Sequence, residues 1–134
     1  MKTPPRNICI HSFYRDKDYV LNVVRGIGMI HSIQTCDEDL KSKIEKAGDQ
    51  LIVIDFYATW CGPCKMIAPK IEELSKEMQD VIFVKVDVDV REDIATDYDI
   101  NSMPTFVFIK NGKVVESFAG ANYDKVKDTI LKYK

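Results

Sequence analysis

Cys61 and Cys64 are the residues best placed by type and spacing to do chemistry in this 134-residue chain. Gly62 and Pro63 lie between them and Trp60 stands in front. The preceding run, LIVIDFYA at 51–58, is almost wholly apolar, as expected of a strand covered on both faces. After the pair, Ile67, Ile71, Leu74 and Met78 recur at helical spacing. The cysteines therefore sit where a buried strand gives way to a helix. The first helical turn has unpaired N–H groups and a partial positive charge, which stabilise a thiolate. Pro63 suits that turn, where no N–H is needed. The spacing brings both sulfurs onto one turn, within reach of a reversible bond.

Three chemistries compete for such a pair. A structural zinc wants four ligands, there is no second C-x-x-C, and both histidines, His11 and His31, precede the main strands. A set built from Cys9, His11, Cys61 and Cys64 is open on paper, but no metal is expected. A static staple across two intervening residues closes almost no loop and adds little stability. Electron transfer by thiol–disulfide exchange remains. Cys61, at the very start of the helix, is expected to be the exposed nucleophile, and Cys64, one turn in and more covered, the resolving thiol.

Asp55 is the oddest residue of its strand, a carboxylate between Ile54 and Phe56. Burial without a partner is expensive and raises a carboxyl pKa toward the range of a proton acceptor working near neutrality. The competing reading is an ion pair with Lys85, which interrupts the next strand at comparable depth. Asp87 and Asp89 read as strand-end and loop carboxylates on a solvated face, with no role. Trp60, at a strand-to-helix corner, suggests a partly exposed rim for substrate. Met103–Pro104 precedes a strand that a proline can only open, and about one X–Pro bond in twenty is cis. Pro69 falls inside the helical stripe, where it removes one hydrogen bond.

Elements that would position these residues are readable along the chain. MIHSIQ at 29–34 fits an edge strand, and the following helix has Thr35 and Glu38 spaced as a capping box and Gly48 as its stop. VIFVKVDV at 81–88 and TFVFIK at 105–110 are further strands, with the short helix REDIATDY between them. Asn111–Gly112 is a two-residue hairpin turn into KVVESFAG. The last helix puts Val126, Ile130 and Tyr133 on one face. Helices between successive strands imply parallel pairing through the centre, with the hairpin antiparallel. The expectation is an α/β fold: a central mixed sheet of about five strands flanked by four helices.

Composition agrees with one soluble globular domain, at 46% hydrophobic and 30% charged residues. No apolar run is long enough to span a bilayer. The net charge of −2 divides unevenly. Lys2, Arg6, Arg15, Lys17 and Arg25 against Asp16 and Asp18 leave residues 1–28 at +3 and the remainder at −5. A mildly acidic domain gives no nucleic-acid footprint. Residues 1–28 lack an uninterrupted apolar core for a signal peptide, and Asp16 and Asp18 argue against a mitochondrial presequence. The division expected is a flexible extension at 1–28, outside the core fold, and a domain at 29–134, with Met29 as a candidate native start.

WCGPCK, preceded by DFYAT and followed by SMPTFVFIKNGK and FAGAN, resembles thioredoxin, above all the small cytosolic thioredoxins of animals. The resemblance covers about residues 29–134, and these motifs together are far more specific than C-x-x-C alone. It implies a protein disulfide reductase of the thioredoxin fold with no bound cofactor, restored by thioredoxin reductase with NADPH as ultimate donor. Gly62-Pro63 is the dipeptide of reducing members. Asp55 matches the buried aspartate that takes the proton from the second cysteine, with Lys85 tuning it. Pro104 matches a proline held cis beside the cysteines, leaving the Met103 backbone to pair with an extended substrate segment. Gly120 and Ala121 match the loop flanking the groove. Oxidised proteins as substrates, a monomeric state and a cytoplasmic or also nuclear location are implied. Ser102 stands where vertebrate members can carry an extra cysteine, so disulfide dimerisation through that position is excluded. The competing function is a redox-switched binding module that holds partners without turnover.

Overall fold

The computed structural model describes the backbone of residues 30–33 and 37–134, and side chains from Leu40 onward. The extension at 1–28, Met29, Cys9, Thr35 and Cys36 lie outside the described residues. Among the described residues, five strands and four helices follow in order: β1 (Ile30–Ile33), α1 (Asp37–Ala47), β2 (Ile52–Tyr57), α2 (Gly62–Glu77), β3 (Ile82–Asp87), α3 (Glu92–Asp97), β4 (Thr105–Lys110), β5 (Lys113–Ala119) and α4 (Tyr123–Tyr133). The strands form one sheet in the order β1-β3-β2-β4-β5, which makes β1 an edge as expected.

Strand alternation divides the core in two. Ile52, Ile54 and Phe56 point to one face, where they meet Val84, Val86, Ile94 and Leu40 beneath α1 and α3. Val53 points the other way, into a cluster with Phe83, Phe106 and Phe108. Ile67, Ile71, Leu74 and Met78 of α2 and Val126 and Ile130 of α4 close that second cluster, so both helical stripes bury as their spacing requires. Tyr133 packs at its margin. Gly48, at φ +60°, ends α1. Asn111 and Gly112, at φ +53° and +76°, make the hairpin turn.

One connection departs from expectation. β1–β3 and β3–β2 are parallel, but β4 runs antiparallel to β2 as well as to β5. The six-residue α3 explains it. Such a helix rises about 9 Å, whereas a six-residue strand spans about 20 Å, so it does not carry the chain back along the sheet. The chain leaves β3 and enters β4 at the same end. That end is also where β2 delivers Cys61.

Candidate redox site

Cys61 is the N-cap of α2, in extended backbone, and its Sγ accepts the N–H of Cys64 at 3.2 Å. Pro63 occupies the first turn, where its missing N–H leaves nothing unpaired. Pro69 lies within the 16-residue helix without ending it. Cys61 and Cys64 are joined by a disulfide with Cα atoms 5.3 Å apart, within the usual range for such a bond. Ala58 packs with the two sulfurs, and Tyr57, Val88 and Met103 cover them.

That cover corrects one expectation. Cys61 and Cys64 are equally buried, each 5% exposed, so overall exposure does not set the nucleophile apart. Residue position along the helix suggested a bare Cys61; the Met103 loop, 42 residues away in sequence, shields it, with the Met103 carbonyl oxygen 3.6 Å from Sγ. The asymmetry lies in the surroundings instead. Cys61 takes the helix N–H and faces Met103, while Cys64 lines a cleft of about 290 Å³ together with Asp55, Lys85 and Lys65.

Asp55 reaches that cleft by parity. It shares the alternation of Val53, which turns toward α2, and so lies under the first turn that carries Cys64. It is 5% exposed, and its Oδ1 has no hydrogen-bond partner among the described residues. Burial pushes its pKa up to about 6, and the Lys85 charge holds it back from rising further. Lys85 is its register partner on β3. The ammonium sits 4.4 Å from the centre of the Tyr57 ring, a cation–π placement that leaves Asp55 Oδ1 uncapped. The satisfied ion pair weighed against a chemical role is not what forms.

The Met103–Pro104 bond is cis, with Pro104 buried and Met103 half-buried. The Pro104 carbonyl accepts the N–H of Gly120 at 2.8 Å, which brings Gly120 and Ala121 to the same end of the sheet. Gly120 sits at φ +110°, a region that side chains rarely tolerate. Ala121 lines a second cleft, of about 640 Å³, with Pro63, Met66 and Tyr123. Gly62 and Pro63 are exposed.

Trp60 is 66% exposed, and its indole N–H donates to Asp89 Oδ2 at 2.9 Å. Asp87, expected on a solvated face, is buried, and its Oδ1 accepts the N–H of Asp89 at 2.9 Å. Both carboxylates therefore have structural work that their placement at a strand end had concealed. Parity was the available signal for Asp87, which alternates in step with Phe83 and Lys85. Nothing in the local pattern pairs Asp89 with a residue 29 positions away.

Among the described residues no group of three or more His, Cys, Asp or Glu side chains is arranged to hold a metal ion. No helix there is long and apolar enough to cross a membrane.

Residues 31–132 match the family model described as Thioredoxin. Thioredoxin-T of Drosophila melanogaster is 52% identical over 106 residues, covering 78% of this chain and 67% of that one. The crystal structure of Fasciola hepatica thioredoxin superposes with a TM-score of 0.75 at 50% identity, covering 78% of this chain and 99% of its own. A thioredoxin f2 solved in complex with ferredoxin:thioredoxin reductase superposes with a TM-score of 0.74 at 34% identity, covering 80% of this chain and 96% of its own.

Proposed function

Since this chain belongs to the thioredoxin family and is a thiol–disulfide reductase, we propose that Cys61 is its nucleophile, Cys64 its resolving thiol and Asp55 the proton acceptor between them. The observation carrying this assignment is the placement of Cys61 Sγ at the α2 N-terminus, where it accepts the Cys64 N–H. A developing thiolate at Cys61 meets a hydrogen-bond donor and the positive end of the helix dipole.

The cycle runs as two displacements. The Cys61 thiolate attacks one sulfur of a substrate disulfide, forming a mixed disulfide and expelling the other substrate sulfur as thiolate. Cys64 then gives its proton to Asp55, directly or through water in the shared cleft, and its thiolate attacks Cys61 Sγ. The second substrate thiolate leaves, and the Cys61–Cys64 disulfide seen in the structure is the oxidised product. A carboxyl with pKa near 6 is mostly ionised at neutral pH yet basic enough to receive a proton transiently.

Lys85 tempers Asp55, while Gly62, Pro63 and Pro104 shape the backbone around the sulfurs. Trp60, Met103, Gly120 and Ala121 form the surface on which an oxidised protein docks. Thioredoxin reductase returns two electrons to the disulfide, with NADPH as ultimate donor and no cofactor held by this chain. The complex formed by the thioredoxin f2 neighbour supports a reductase partner of some kind. Resemblance to small animal thioredoxins supports a monomer that serves cell redox homeostasis in the cytoplasm and also the nucleus. It equally supports a domain at 29–134 carrying a separate extension at 1–28. Insulin-disulfide reduction tests the assignment. Cys61→Ser abolishes turnover and Cys64→Ser accumulates mixed disulfides; turnover retained by Cys61→Ser would refute it.

A further inference from the structure

We infer that Tyr57 is a positioning residue of the exchange reaction: its ring holds the Lys85 ammonium and so leaves the Asp55 carboxylate open for the Cys64 proton. This rests on the reading of Asp55 as the proton acceptor. Tyr57, Asp55 and Lys85 share one face of the sheet, since Tyr57 follows Asp55 by two on β2 and Lys85 is the register partner of Asp55 on β3. Neighbouring strands lie about 4.8 Å apart, so the long stem of a lysine can set its head beside either residue. The ammonium lies 4.4 Å from the centre of the Tyr57 ring, while Oδ1 of Asp55 has no hydrogen-bond partner among the described residues. The ring has taken the cation.

Lys85 is the charge whose placement decides how Asp55 behaves. From α2 the carboxylate faces Cys64, which does not titrate in the disulfide, and Lys65, whose exposed side chain is screened by solvent. Thr59 lines the same cleft with a neutral hydroxyl, and Phe106, the partner of Asp55 on β4, is apolar. An ammonium seated directly on a buried carboxylate holds it ionised and makes it a poor base. Parked on a ring, the same ammonium tempers the carboxylate without occupying it. Tyr57 also packs against the two sulfurs, so the ring that holds the cation is steadied by the site it serves.

The experiment follows the Asp55 carboxyl carbon by NMR through a pH titration of the full chain in its disulfide form, with Asp55→Asn identifying the signal. Tyr57→Leu frees Lys85 to close on Asp55, and the titration midpoint is expected to fall by about one pH unit or more. Tyr57→Phe keeps the ring and the parent midpoint. In a Lys85→Met background, Tyr57→Leu leaves the midpoint where Lys85→Met alone puts it. Cys64 resolution, read by stopped flow at neutral pH, slows by about 3- to 10-fold in Tyr57→Leu, the rate equivalent of about one pH unit of lost basicity, and keeps the parent rate in Tyr57→Phe. Tyr57→Met fills the same space with a flexible apolar chain and carries the comparison should Tyr57→Leu not fold.

An unmoved midpoint in Tyr57→Leu overturns the inference. So does a fall that persists in the Lys85→Met background, which marks entry of water rather than release of the cation. A Tyr57→Phe chain that behaves like Tyr57→Leu overturns it too, as does a lowered midpoint with resolution at the parent rate while Asp55→Asn is slow. Failure of the underlying reading looks different: Asp55→Asn would then resolve mixed disulfides at the parent rate, whatever the Tyr57 variants do to the titration.

Discussion

Replacing Asp55 by asparagine removes a charge from the core without changing the shape of the side chain. The folded chain holds the Asp55 proton up to about pH 6, whereas an unfolded carboxyl releases it near the usual value of 3.8. Between those values the native state binds more protons, so the Asp55 contribution is fully present below about pH 3.8 and is lost as pH rises through about 6. At 1.36 kcal/mol per pH unit the gap amounts to about 3 kcal/mol of destabilisation by the ionised carboxylate above neutrality. Near pH 4.5 the same two values leave only about 1 kcal/mol. The side chain is 5% exposed, so little of this is screened by solvent. Urea unfolding of the disulfide form, with parent and Asp55→Asn compared near pH 4.5 and near pH 8, isolates the effect because every other titrating group is common to both. The stability difference is expected to shift in favour of Asp55→Asn by about 2 kcal/mol between those pH values. A constant offset at both pH values would refute the assignment of a raised pKa to burial. So would a shift in the opposite direction.

The same variant loses the proton acceptor, and insulin reduction is expected to slow by about 10²-fold at neutral pH, with Cys64 resolution as the affected step in a stopped-flow assay. Ile130→Ala removes a fully buried side chain between α4 and the sheet and is expected to cost about 2–5 kcal/mol in urea unfolding. Gly120→Ala meets no neighbouring atom but must hold φ near +110°, and is expected to destabilise by about 1–3 kcal/mol through backbone strain alone. Asn122 caps α4 by accepting the Lys125 N–H at 3.0 Å, so Asn122→Ala is expected to lower stability by about 1 kcal/mol in the same assay.

What could be read in advance was local. The run at 51–58 holds a strand covered on both faces, and the α2 stripe buries because four residues recur on one side of a helix. The turn at Asn111–Gly112 follows from two adjacent positions at positive φ. Cys61, Cys64 and Asp55 stood out because each is chemically unusual where it lies. What escaped was long-range. The direction of β4 depends on which end of the sheet the chain has reached after α3, a distance that no residue pattern records. The burial of Cys61 depends on Met103, and the pose of Trp60 on Asp89. These contacts exist only once the strands have assembled. The partner of Lys85 was missed for a related reason. An aromatic ring competed with a carboxylate for the same ammonium, and the ring lies on the strand that carries the carboxylate.

The antiparallel course of β4 sorts the molecule into two poles. Loops that serve the sulfurs gather at one, whereas the turn at Asn111–Gly112 and the Lys134–Asp80 bridge belong to the other. A reporter dye or an inserted peptide at that far turn would ride on the sheet without meeting the chemistry. The scaffold therefore offers an attachment point whose tolerance to cargo is separable from turnover.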